Sequence, residues 1–164
     1  MLALTPDQIR TGFVNCTKGE AKRHMVPGNL DAVDWDPLDF FGWRDPGSEL
    51  IGGMALWRGD DVISIALRAT QRPLSAKQSM CSLCYTFHSS GDVVLMGAKR
   101  AGARGRDGNT VGASMCADLA CSLYARKLKQ PRRVQPQETL DVDARIARLR
   151  LNLDKFVARV VDGL

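Results

Sequence analysis

No apolar run in the 164 residues approaches the roughly 20 that a membrane-spanning helix needs. The opening residues, MLALTPDQIRTGF, lack the basic-then-apolar layout of a secretory leader, so a cytoplasmic protein without a membrane partner is expected. In that compartment thiols stay reduced, and closely spaced cysteines more often ligate metal or do redox chemistry than form structural disulfides. Short motifs of catalysis are equally absent. There is no phosphate-binding loop, no dinucleotide fingerprint and no Gly-x-Ser-x-Gly. The two histidines, His24 and His88, stand in neither a His-x-Glu nor a His-Glu-x-x-His, and none of the three glutamates, Glu20, Glu49 and Glu138, lies beside one. No enzyme is expected.

What is present is enough apolar residue, 45%, to bury a core, in a length that suits one domain spanning residues 1–164. The net charge of +5 is unevenly spread. Residues 1–80 hold nine basic residues against ten acids, and residues 137–164 hold five of each. Residues 81–136 hold nine basic residues and three acids, in the segment that carries four of the five cysteines.

The patterning is mixed, which points to an α+β fold. Thr5, Pro6 and Asp7 form a helix start, and KGEAKRHMVP reads as a second helical piece stopped near Pro27. DWDPLDFFGWRDPG crowds aromatics between Asp-Pro pairs and reads as irregular chain over a core containing Trp35, Phe40, Phe41 and Trp43. MALW and VISIALR then alternate as a hairpin, with Val62, Ser64, Ala66 and Arg68 on one face and Ile63, Ile65 and Leu67 on the other. DVVLMGAKR and NTVGASM are two more strands, joined by AGARGRDG, whose glycines favour a mobile loop that orders on binding. ADLACSLYARKL reads as a helix. After Pro131 and Pro136, residues of about 139–162 form a long amphipathic helix with Val142, Ile146, Leu149, Leu153, Phe156 and Val160 in one stripe. That stripe is expected to pack on the protein's own sheet, which favours a monomer.

The cysteines are spaced as Cys81-x2-Cys84 and, 31 residues later, Cys116-x4-Cys121. Four thiolates at about 2.3 Å in a tetrahedron suit one structural Zn²⁺, and two close pairs meeting across a hairpin supply them at little loop-closure cost. Five residues of regular helix turn a side chain through about 500°, so Cys116 is expected on a turn before the helix and Cys121 in its first turns. A knuckle, a hairpin and a helix whose start completes the ligand set is the layout of a treble-clef zinc finger, here about residues 79–128, embedded in a small antiparallel sheet with flanking helices. A site closed by four thiolates has no open position for water, so the metal is structural. Cys16 reads as a small buried apolar residue, and neither His88 nor His24 is needed as a ligand.

FVNCTKGEAKR, LDFFGWRDPG, SMCSLCYTFH, KRAGARGRDGNTVG and CADLACSLYARK together resemble the elongation factor G-binding protein family, whose treble-clef zinc domain is shared with fusidic-acid-resistance proteins. The resemblance implies zinc on Cys81, Cys84, Cys116 and Cys121, and docking on elongation factor G during translation, which in the resistance proteins helps free the factor when the drug has trapped it on the ribosome. The expected contact surface is Tyr85, Phe87 and Tyr124 with Lys99, Arg100, Arg104, Arg106 and Arg126. The alternative is that the basic loop lies on RNA, ribosomal RNA or the ribosome itself, since such clusters also attract phosphate backbones.

Overall fold

Thr5 and Thr17 each open a helix with a reciprocal capping box. Thr5 Oγ1 accepts from Gln8 N while Gln8 returns a bond to the Thr5 amide, and Glu20 does the same for Thr17. Helices α1 (Pro6–Thr11) and α2 (Lys18–Arg23) result. The Thr17 amide bond, the Thr17 hydroxyl and the Lys99 ammonium hold the Glu20 carboxyl at a pKa of about 2. The computed structural model describes residues 1–70 and 78–162. Among the described residues a 3-10 turn follows at Leu30–Ala32, and then the strands β1 (Phe41–Asp45), β2 (Ser48–Arg58), β3 (Asp61–Ala69), β4 (Gln78–Met80), β5 (Phe87–Ser89), β6 (Val93–Lys99) and β7 (Thr110–Cys116). Between the last two lies α3 (Gly102–Arg106), and the chain ends in α4 (Cys121–Ala125) and α5 (Val142–Val161). No described helix is long and apolar enough to cross a membrane.

Both expected hairpins form, with the faces of β3 divided as the alternation predicts. The aromatic stretch departs from expectation. Its middle is not irregular but an edge strand, β1, paired antiparallel with β2 so that Phe41 lies opposite Ala55 and Trp43 opposite Gly53. Gly53 makes room for an aromatic: a Cβ there would sit 2.3 Å from Trp43 Cζ2, so the indole lies directly on the β2 backbone. The Arg/Gly loop also differs, being wound into α3. Gly105 is required at that turn because a Cβ would meet the Arg100 carbonyl oxygen at 1.7 Å. The loop was legible as glycine-rich, but the close approach that its glycine serves is a tertiary fact.

The large sheet has the order β1-β2-β3-β6-β7, and β4 and β5 form a separate two-stranded ribbon. Among the described residues two pairs join β3 to β6, Arg68 with Gly97 and Ala69 with Met96. Beyond them the edge of β3 is satisfied by the chain after α1: Val14 N donates to Ser64 O, Ser64 N to Gly12 O, and the Asn15 amide exchanges two bonds with the backbone of Ala66. Backbone donors and acceptors in the interior must find partners, and this segment supplies them.

The two sides of the sheet carry different cores. One buries Leu4, Ile9, Val26, Leu30, Phe41, Trp43 and Ala55 under the N-terminal helices. The other buries Met54, Leu56, Ile65, Leu67, Met96, Val111, Ala113 and Met115 under α4, α5 and the cysteines. Helix α5 delivers Leu149, Leu153, Phe156, Val157 and Val160 to this core, at roughly 2 kcal/mol of burial each before ordering entropy is subtracted. The stripe packs on the protein's own sheet, as its period suggested. Val142 and Ile146, at the start of the stripe, are only half-buried.

Candidate metal centre

Three local devices bring the four sulfurs together. The first pair sits on a knuckle between β4 and β5. Tyr85 N donates to Cys81 O and Cys81 N to Thr86 O, and the turn closes with Tyr85 at φ 61°, a left-handed position for a bulky residue. The second pair begins on the last residue of β7, Cys116, rather than on a separate turn, and ends on the first residue of α4, Cys121. Between them Leu119, at φ 56°, donates its amide to Cys116 O and drops its side chain against Gly42 of β1, where a Cβ would approach Leu119 Cβ to 2.5 Å. The four intervening residues therefore serve to reverse the chain and seat a leucine on a glycine, and that explains the unusual spacing.

Cys81, Cys84, Cys116 and Cys121 are all fully buried, with ligand atoms within 4.8 Å of one another. Cys81 Sγ lies 3.7 Å from Cys121 Sγ, and Cys84 Sγ lies 3.6 Å from Cys116 Sγ. Those distances are far beyond a disulfide bond of about 2.05 Å. They match the edge of a tetrahedron with metal–sulfur bonds of about 2.3 Å, which is about 3.8 Å. The donor set and its spacing fit one Zn²⁺, and the cysteines are positioned to hold it. As free thiols the four are in conflict. Hydrogen bonds from Cys116, Cys121 and Cys81 hold Cys84 well below the ordinary thiol range, whereas contacts with Cys116, Cys81 and Cys84, together with burial, push Cys121 up. A divalent cation removes the conflict by stabilising every thiolate.

The surroundings complete the site. Thr86 Oγ1 is 3.2 Å from Cys84 Sγ, and His88 Nε2 is 3.3 Å from Cys116 Sγ. His88 is buried edge-on against Tyr124, with ring centroids 4.8 Å apart. It lies outside the ligand set yet adjacent to it, with Nε2 turned toward the Cys116 sulfur. Asp118 holds the second pair: it accepts from Ala120 N at 3.1 Å and Tyr124 Oη at 2.8 Å, and pairs with Lys129 at 2.9 Å. Helix α4 then stops at a left-handed Lys127, φ 59°, shorter than the apolar pattern to Leu128 suggested. From α5, Asn152 Nδ2 donates to Leu83 O at 3.0 Å, and Arg148 Nη2 approaches Cys84 O at 3.4 Å. Cys16 is not among these groups. It is half-buried beside Glu20 and Lys99, and burial raises its pKa.

The residues expected to meet a partner divide into three sets. Tyr85 is 41% exposed beside the knuckle, and Phe87 is half-buried next to it. Lys99, Arg100, Arg104 and Arg106 gather at the far end of the β6–β7 hairpin, a seven-residue strand or roughly 20 Å from the sulfurs. Arg104 and Arg106 are exposed there, while Lys99 pairs with Glu20 at 3.3 Å. Tyr124 and Arg126 are interior. Arg126 reaches Asp39 at 2.5 Å with side chains 13% and 3% exposed, and Arg150 of α5 joins the same carboxylate at 2.8 Å. Burial opposes ionisation of Asp39, but the bonds from Arg126 and Arg150 outweigh it and hold its carboxyl below the usual range. Nothing in the sequence marks Asp39, which is 87 residues from its partner.

Comparison with known proteins agrees with this geometry. The family model of the FBP C-terminal treble-clef zinc-finger matches residues 8–160, from α1 almost to the end of α5. The fold also matches the solved structure of the fusidic acid resistance protein FusC, with a TM-score of 0.55 and 11% sequence identity, covering 98% of this chain and 59% of that one. At that identity the likeness speaks for the fold. No curated protein sequence matches. With four buried thiolates on a knuckle, a strand end and a helix start, and with the family model running nearly end to end, the chain belongs to the FBP C-terminal treble-clef zinc-finger family.

Proposed function

We propose that this is a non-enzymatic, zinc-stabilised docking protein whose partner is translation elongation factor G. The observation that carries the reading is the sealed metal site: all four ligands are buried and sulfur saturates a tetrahedron, so the ion has the character of a structural centre. Family membership and the shared fold with a fusidic acid resistance protein support the choice of partner. Docking acts by linkage. A protein that binds the factor more tightly off the ribosome, or in its departing conformation, shifts the population that way without bond chemistry.

The contact surface in this reading is the knuckle with Tyr85 and Phe87, together with the basic tip bearing Lys99, Arg100, Arg104 and Arg106. Tyr124 and Arg126 act from inside by holding α4 against Asp118 and Asp39. Calorimetric titration of the zinc-loaded protein with nuclease-treated elongation factor G should give a saturable one-to-one complex, weakened in the Arg104→Ala/Arg106→Ala variant. No heat at tens of micromolar would sink the reading. The basic tip stands apart from the knuckle, and this observation favours a second reading in which the tip alone lies on RNA. That reading expects affinity for RNA without any protein partner, falling steeply with salt.

A further inference from the structure

Between the zinc knuckle and the start of α5 lies an open cleft of about 680 Å³, whose lining includes Met80, Tyr85, Leu140, Arg145 and Arg148. Its floor is cationic. The Arg145 and Arg148 side chains, one turn apart on α5, are only 12% and 23% exposed. Arg148 lies over the Tyr85 ring, 4.7 Å from its centroid, and Arg145 Nη2 donates to Tyr124 O at 3.2 Å. Both guanidiniums face one carboxylate, Glu138, with Arg148 Nη1 bonded to Glu138 Oε1 and Arg145 Nε at 3.5 Å from Glu138 Oε2. That sharing leaves each fork incomplete: the Nε atoms of both arginines are sealed from solvent and have no hydrogen-bond partner among the described residues. A guanidinium aligned with its own carboxylate gains two parallel bonds, and a buried N–H without a partner costs free energy.

Glu138 reaches the site from a connecting segment between α4 and α5 that contains no helix or strand. While Glu138 ties this segment to α5, Gln135 ties it to β5: its amide accepts from Phe87 N at 2.9 Å and donates to Phe87 O at 2.8 Å, imitating a strand partner. The lip of the cleft is apolar, with Met80, Tyr85 and Leu140 each about two-fifths exposed. A carboxylate held over two guanidiniums, flanked by exposed apolar side chains, is the arrangement that an acidic peptide segment would meet.

We propose that the cleft is a receptor for a glutamate or aspartate side chain of a protein partner, and that Glu138 fills it in the free protein as an intramolecular stand-in. The incoming carboxylate displaces Glu138, completes the fork on Arg148 and lays neighbouring apolar residues on Met80 and Leu140. This inference rests on the knuckle being a docking face, as proposed above, but not on which protein docks there.

The test uses fluorescence anisotropy of a fluorescein-labelled peptide of alternating glutamate and leucine, with the full-length zinc-loaded protein. Glu138→Gln keeps the shape and removes the competitor, so it should bind about tenfold more tightly than the parent, the equivalent of one charge-assisted hydrogen bond. Adding Arg148→Gln to that variant should abolish the gain. A Glu138→Gln protein that binds no better overturns the proposal, and so does competition by an oligouridylate of equal charge that matches the acidic peptide, since the cleft would then read phosphate. A readout on the unmodified protein guards against a variant that fails to fold: the Arg145 and Arg148 Nε–H resonances should shift on titration with the peptide, and unmoved resonances at saturation overturn it. Calorimetry with elongation factor G separates the two readings. Factor binding indifferent to Arg148→Gln removes the cleft and leaves the docking, whereas peptide binding without factor binding does the reverse.

Discussion

On one side of the sheet every buried apolar residue comes from positions 4–55, and on the other they run from Phe40 to Val160. The first side is local in sequence. Its half-buried members end at Val62, its rings stack as Phe41 on Trp43 at 5.6 Å, and Trp43 Nε1 donates to Met25 O at 2.8 Å. The second must gather a knuckle, a hairpin, a helix start and a distant helix, and its centre is four thiols that resist sharing one buried site. Contacts between neighbours in sequence cost little loop entropy, whereas long-range ones need an extra source of binding energy. Zinc supplies it on the second side, and aromatic burial suffices on the first.

The largest expected effect is metal loss. The tryptophans, Trp35, Trp43 and Trp57, belong to the first side, and both tyrosines, Tyr85 and Tyr124, to the second, so the two report separately. Cys84→Ser should lower bound zinc from one equivalent to none and destabilise the second side by several kcal/mol. Near-ultraviolet tyrosine dichroism should then vanish at a lower denaturant concentration than the tryptophan emission shifts red. Coincident transitions would break the comparison and make the two sides one cooperative unit.

An intermediate effect is expected where the sides are tied together. Asp39 arrives with the N-terminal chain and receives Arg126 and Arg150 from the zinc side. Asp39→Ala leaves the nearly buried Arg126 cation without its counter-charge, with the Ser122 carbonyl still accepting from it, a change that costs about 3 kcal/mol. Urea unfolding should report that loss with zinc still bound at one equivalent. Metal release in this variant would place Asp39 inside the zinc site's own support.

The smallest effect concerns pH on the first side. His24, half-buried against Phe13 and Trp43, has Nδ1 sealed without a hydrogen bond among the described residues, and burial lowers its pKa. The unfolded chain then binds the proton more readily, near its ordinary value of about 6.5, so this contribution to stability is present above that pH and fades as pH falls below it. Relative to His24→Phe, the parent should lose melting temperature between pH 7.5 and pH 6. Parallel curves would show that the ring ionises in place.

Much of the metal centre was legible because its information is local. Cys-x2-Cys and Cys-x4-Cys name the ligands, and helix geometry excluded a regular helix through Cys116 and Cys121. The hairpins announced themselves by alternation, and α5 by its stripe. Strand β1 was not legible, because its five residues lie between prolines and its partner glycines read as breaks, although Gly53 is there to receive Trp43. Thr17 and Glu20 carried a capping signature, Thr-x-x-Glu, that marks the start of α2 directly. His88, Asp118 and Asp39 had no such mark, since a polar residue's partner lies anywhere in the chain.

By itself the sequence determined the four ligands and hence the metal, the two hairpins, the last helix and a basic surplus between residues 81 and 136. These follow from short-range chemistry, in which residue type and spacing suffice. Tertiary structure alone decided that this surplus is divided, with Arg104 and Arg106 exposed at a hairpin tip and Arg126 spent on a buried aspartate, and that Arg145 and Arg148, from the charge-balanced stretch 137–164, face the knuckle cleft. Charge acts through space, and only the packed chain brings Glu138 to Arg148 and Asp39 to Arg126.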